Sequence, residues 1–163
     1  MVLYKFDVSS FIYFSLDELF SCLFCFVVII IIIKRKPEVL KERGTFLIIG
    51  LAVFALINMI TISSSYREYS VLKNAYETGN CHYVEGSVTN FKGHPDTVRW
   101  YEEFEINDVT FSYSSAEVTF SYNKPKVEGG VIVGNGQKVR IGYVPYQMSG
   151  EYVMNRIVYI EQL

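Results

Sequence analysis

Apolar positions in this chain follow two different grammars. Up to about residue 62 they come in long unbroken runs, and after Cys81 they alternate with polar positions. Leu19 to Ile33 reads LFSCLFCFVVIIIII, fifteen residues without a charge. At 1.5 Å per residue this covers about 22 Å, short of a hydrocarbon core of about 30 Å. The missing length lies upstream. Ser15-Leu16-Asp17-Glu18 has a capping-box pattern, which predicts a spanning helix over 15–36. Phe11, Tyr13 and Phe14 before it suit an interfacial aromatic belt. Thr45 to Ile62, TFLIIGLAVFALINMITI, holds eighteen uncharged residues and predicts a second spanning helix over 45–64. Asn58 sits near its far end, where its amide reaches toward the headgroups. Neither run has the polar face of a soluble helix.

The second grammar predicts strands. Tyr66–Thr78 reads as a short helix closed by Gly79-Asn80, either free-standing over 65–80 or continuing the spanning helix. Alternating β-branched and aromatic residues then mark strands near 82–91, 100–106, 109–113, 117–122, 137–144 and 156–161. Asn107-Asp108 between apolar runs is a hairpin signal, and Val144-Pro145 is read as the end of a strand. Five or six short strands over 81–163 favour a small, strongly bent barrel of the OB or SH3-like kind, bent at Gly86 and Gly142. A small β-sandwich is the alternative. The expected interior is Val88, Phe104, Phe111, Phe120, Val139, Ile141 and Ile157. About a hundred residues suffice for one core, so 66–163 is expected to fold without the helical hairpin.

Charge supplies the orientation. The connector 37–44 and its flank carry Lys34, Arg35, Lys36, Lys41 and Arg43, whereas only Lys5 precedes the first run. The positive-inside rule puts the connector in the cytoplasm. The tail 1–14 and everything after Ile62 are then extracytoplasmic, in a two-pass protein of the cell (inner) membrane. The whole chain has 163 residues, is 50% hydrophobic with a mean hydropathy of +0.21, and has net charge −2. That balance excludes a nucleic-acid partner recruited by bulk positive charge. The length allows a membrane anchor plus one modest domain.

The order of two spanning helices, a short helix, VEGSVTNF, the hairpin around FEINDVTFSYS, and GQKVRIGYV resembles uncharacterised bacterial membrane proteins with a small extracytoplasmic barrel. The likeness covers residues 66–163. It implies the fold and the membrane location and lends no activity.

Candidate chemistry is sparse. Cys22 and Cys25 have CxxC spacing but lie inside an apolar run, where they act as small apolar residues. Cys81 stands alone and reads as a buried thiol, with an intermolecular disulfide as the minority reading. His82, Glu85, His94 and Asp96 lack metal-ligand spacing, and no metal or cofactor is expected. Glu102, Glu103, Glu105 and Asp108 read as a solvated strand edge. GxSxG and SxxK are absent, and the glycines at 129–136 lie between strands, where turn chemistry explains them. The aromatics say more. Phe91, Trp100 and Tyr101 flank the loop 92–99, while Tyr146, Met148 and Tyr152 crowd the loop 145–153. Phe91, Trp100, Tyr101, Tyr146 and Tyr152 are the expected binding residues, since Trp and Tyr carry most interface energy. The leading expectation is a non-enzymatic, membrane-anchored protein-binding module: an envelope-complex subunit or an immunity-type inhibitor. An envelope enzyme or metal-dependent hydrolase using His94 and Asp96 is the alternative. A homo-oligomer assembled through the spanning helices is a third reading.

Overall fold

The structure, a computed structural model, describes residues 1–35, 43–93, 101–147 and 153–163. The elements are β1 (Val2–Lys5), α1 (Ser10–Arg35), α2 (Arg43–Thr78), β2 (His82–Ser87), β3 (Thr89–Lys92), β4 (Glu102–Ile106), β5 (Val109–Tyr113), a 3-10 turn (Lys126–Glu128), β6 (Lys138–Gln147) and β7 (Val153–Gln162). They form two compact units. One is Ser9–Arg67; the other joins Met1–Val8 to Glu68–Leu163.

The helical unit contains two helices long and apolar enough to cross a membrane. Only 11% and 6% of their apolar windows are buried, so Phe20, Phe24, Phe46 and Ile60 expose most of their surface. Small residues mark where the helices meet: Cys22, Cys25 and Ala55 are buried, and Cys22 Sγ lies 3.8 Å from the Ala55 carbonyl. The Asn58 amide donates to the Phe54 carbonyl of its own helix at 2.8 Å, and Thr61 does the same to Ile57 at 3.0 Å. Backbone acceptors one turn back thus satisfy these polar groups in apolar surroundings. Two boundaries differ from the sequence reading. α1 begins at Ser10, and Ser15 is already inside it, its hydroxyl donating to the Ile12 carbonyl. α2 continues unbroken through Ser63-Ser64-Ser65 to Thr78, 36 residues or about 54 Å, so the segment 65–80 is no separate helix. Gly79, at φ 72, closes it.

The other unit is built on two antiparallel sheets rather than a closed barrel. Sheet A has the order β1-β7-β6-β2 and sheet B the order β3-β4-β5. The long strand predicted at 82–91 bends at Val88, giving β2 to sheet A and β3 to sheet B. Val88 is buried at the bend. Gly86 fits there because a Cβ would meet Ile106 Cγ2 at 3.0 Å. Closure fails because 117–122, expected to be a strand, adopts bends instead. Local bonds divert its backbone: Ser121 N–H donates to Thr119 Oγ1, and Ala116 N–H to Ser114 Oγ. Side chains from both sheets share one core, including Val84, Phe104, Ile106, Phe111, Val139, Ile141, Ile157 and Ile160. Of the expected interior residues Phe120 is the exception, being only half-buried. The Asn107-Asp108 hairpin forms as predicted, with φ 44 and 67. The register of the β6–β7 pair shifts opposite Gly142 and Tyr143, where the extra residue, Val158, lies on β7. β6 does not stop at Val144: β2 ends opposite Tyr143, so Pro145 sits where no partner on that side needs its missing N–H.

Residues 1–8, read from the sequence as tail, belong to this unit. β1 pairs antiparallel with β7 through Val2↔Glu161, Tyr4↔Ile160 and Lys5↔Tyr159. Leu3 and Tyr4 pack on the core, and Phe6, 4% exposed, sits between the rings of Tyr69 and Tyr76. A fragment 66–163 therefore lacks one strand of its own fold. Phe6→Ala should cost about 3 kcal/mol, the range for a buried aromatic, read by urea denaturation in detergent. The 66–163 fragment should melt less cooperatively than the same fragment fused to residues 1–8.

Candidate functional site

The sequence-predicted binding residues divide between the sheets. Phe91 lies on β3, half-buried against the core, with Lys126 Nζ 5.8 Å from its ring centroid. Tyr101, 47% exposed, immediately precedes β4. Tyr146 is not in a loop: it lies in β6, half-buried, opposite Met154. Trp100, Met148, Tyr152, His94 and Asp96 lie outside the described residues. His82 and Glu85 have other partners, the ring of Tyr143 at 5.5 Å and Arg140 at 3.2 Å. Among the described residues no three His, Cys, Asp or Glu side chains are grouped to hold a metal ion. Burial pushes the half-buried Cys81 thiol above its ordinary value, away from a reactive thiolate.

Two buried polar clusters escaped the sequence reading. Glu102 is 2% exposed, which corrects its assignment to a solvated edge. It shares the inward face of β4 with Phe104 and Ile106, since alternate residues point the same way. Its carboxylate accepts from the Tyr113 hydroxyl and from the Lys126 backbone N–H at 3.0 Å. Glu103 and Glu105 take the opposite, outward face, where Lys92 Nζ meets Glu103 at 3.3 Å and the Asn90 amide bonds Glu105.

The second cluster centres on Arg156, 3% exposed on β7. Its guanidinium pairs with Glu117, and its Nε lies 3.1 Å from Glu68 Oε1 without aligned hydrogen-bond geometry. Thr119 donates to the same Glu68 oxygen at 2.6 Å. The last third of α2, the segment 117–121 and β7 thus share one buried charge. Removing the arginine would strand two carboxylates, a loss of about 3–5 kcal/mol for buried pairs. Arg156 is in alternating register with Met154 and Val158, both buried, and Glu68 and Glu117 meet its guanidinium there.

A cleft of about 380 Å³ opens between the sheets, lined by Asp108, Thr110 and Ser112 on one side and by Tyr143, Val153 and Asn155 on the other. The Asn155 amide crosses it to donate to the Thr110 carbonyl at 2.9 Å.

Compared with protein-family models, curated proteins and solved structures, the chain matches none of them.

The tyrosines give a pH signature. Burial pushes the Tyr122 hydroxyl up to about 12, although the Val131 N–H bonded to it pulls the other way. Burial also raises Tyr113, helped by the adjoining Glu102 carboxylate, and Tyr4, helped by Asp7. The folded state therefore holds protonated phenols that the unfolded chain ionises near pH 10. Their contribution to stability is complete below about pH 10 and is lost as pH climbs through 12. The last part of the tyrosinate absorbance, that of these three rings, should appear only together with cooperative unfolding; complete ionisation of all thirteen tyrosines in a still-folded chain would contradict their burial.

Proposed function

We propose that the chain is a two-pass protein of the cell (inner) membrane that displays its β-sheet unit outside the cytoplasm as a protein-binding module, in an envelope complex or as an immunity-type inhibitor. The observation that carries this reading is the pairing of β1 with β7. Both apolar helices lie between these two strands in the chain. Strands of one sheet share one compartment, so the chain between them must cross the bilayer an even number of times. Two exposed apolar helices supply two crossings. The connector residues Lys34, Arg35, Lys36, Lys41 and Arg43 favour the cytoplasmic side, which leaves both termini outside. The rings at Phe11, Phe14 and Tyr66 group together, Phe11 being 5.4 Å from Tyr66, and suit a headgroup belt at the outer end of the hairpin. Binding rather than chemistry is favoured by exposed Tyr101 and by the aromatic content of the segments around Phe91, Trp100, Tyr146 and Tyr152.

The test uses single cysteines in a chain whose own three are replaced by serine, in right-side-out vesicles. A membrane-impermeant maleimide should label Lys5→Cys and Lys138→Cys and leave Glu42→Cys unlabelled until detergent is added. Labelling at 42 alone would invert the topology. A photo-crosslinking residue at Tyr101 should give a discrete protein adduct, whereas one at lipid-facing Ile30 should not; adducts at neither would remove the binding role.

A further inference from the structure

We infer that the free edge of β5 is a strand-addition site that takes an extended peptide segment of another protein, alternating basic and apolar residues. The inference rests on the reading of this unit as a binding module and gives that module a specific surface.

The hydrogen-bond pattern of the β4–β5 hairpin defines the edge. Its two-residue turn, Asn107-Asp108 with φ 44 and 67, makes Ile106↔Val109 a bonded pair. Bonded and non-bonded pairs then alternate, so Thr110 and Ser112 turn their backbone groups away from β4. The Asn155 amide reaching the Thr110 carbonyl from outside the sheet agrees with this direction. Among the described residues, that is the only bond recorded to these groups, leaving the Thr110 N–H and both backbone groups of Ser112 unmatched. Two of the other edges carry bonds or irregularities among the described residues. The Glu85 carbonyl on β2 accepts from the Asn107 amide at 2.7 Å. β3 has an irregular register, and its Phe91 N–H donates to Asn135 Oδ1 at 2.9 Å. β5 carries no proline or lysine, the usual guards of an edge, and it borders the 380 Å³ cleft.

The occupant's chemistry follows from what a strand laid there would meet. Side chains of Thr110 and Ser112 share a face with their partners Glu105 and Glu103, and Asp108 stands at the end of the strand. On that face two carboxylates, Glu103 and Glu105, face the single cation Lys92 among the described residues of sheet B, and Asp108 adds a third charge in the adjoining turn. Alternate residues of an added strand would lie beside this acidic face and are therefore basic. The intervening ones would point toward Val109, Tyr143 and Val153 in the cleft and are therefore apolar. Main-chain bonds supply affinity and the alternating side chains specificity.

The test uses the full chain in nanodiscs of zwitterionic lipid, with empty nanodiscs as the control. The probe is a capped peptide of about seven residues alternating lysine and valine, enough to span β5. Ser112→Pro removes the outward N–H while leaving every bond to β4, so melting should hold while binding by calorimetry weakens about tenfold or more. The same peptide N-methylated on alternate amides tests those bonds on the unaltered protein; one of its two registers should lose binding at equal charge. Equal binding by both N-methylated registers would reduce the effect to bulk electrostatics and overturn the site. So would absence of binding, or a concentration-dependent dimer abolished by Ser112→Pro. None of these outcomes touches the topology, which the maleimide labelling decides separately.

Discussion

The pairing of β1 with β7 is the constraint on which the remainder depends. Four residues at the start of the chain add an edge strand to a sheet whose neighbouring strand lies more than 150 residues away. Two apolar helices are looped out between them. Neither apolar helix is a free appendage, because α1 follows directly on β1 and the last turns of α2 belong to the β-sheet unit. Phe6 stacks with Tyr69 and Tyr76, and the Tyr69 hydroxyl donates to the Val8 carbonyl, so the two tethers also meet each other. Whatever crosses a bilayer between β1 and β7 must do so an even number of times, because strands of one sheet share a compartment.

Buried charge plays the complementary part at the second tether. Arg156 on β7 joins Glu68 of α2 and Glu117 of the segment after β5. Such a cluster contributes little net stability compared with apolar packing, yet it penalises any arrangement that separates its members. It therefore acts on register and docking more than on total stability. Glu102 works similarly inside sheet B, where the Tyr113 hydroxyl and the Lys126 N–H fix the chain after β5 against the core. Among the described residues, the β5 edge keeps outward backbone groups beside a cleft.

Much of this fold is legible in the sequence, for identifiable reasons. Uncharged runs without a polar face form the two helices long and apolar enough to cross a membrane, and the Asn-Asp turn between alternating residues forms the hairpin. β1 was not legible: Val2–Lys5 is too short for a period-2 signal, and its partner is remote in sequence. The segment 117–122 has good strand composition, but the hydroxyls of Ser114, Thr119 and Ser121 bond the local chain and prevent a ladder. Without that strand the predicted barrel remains two sheets. For the site, aromatic content pointed to Phe91, Tyr101 and Tyr146 but could not distinguish packing from display. Phe91 packs on the core, Tyr146 lies in a strand, and Tyr101 keeps about half its surface. The burial of Glu102 and Arg156 depends on tertiary partners, which no local pattern announces.

The most direct test of the central claim is a disulfide between β1 and β7. Lys5→Cys and Tyr159→Cys stand opposite each other in the antiparallel pair. They would be placed in a chain lacking its native cysteines and carrying one engineered protease site in the 34–44 connector. After oxidation in the membrane, solubilisation and cleavage, the two fragments should remain joined without reductant and separate with it. Fragments that separate without reductant would contradict the pairing of β1 with β7, and with it the shared compartment of the two chain ends.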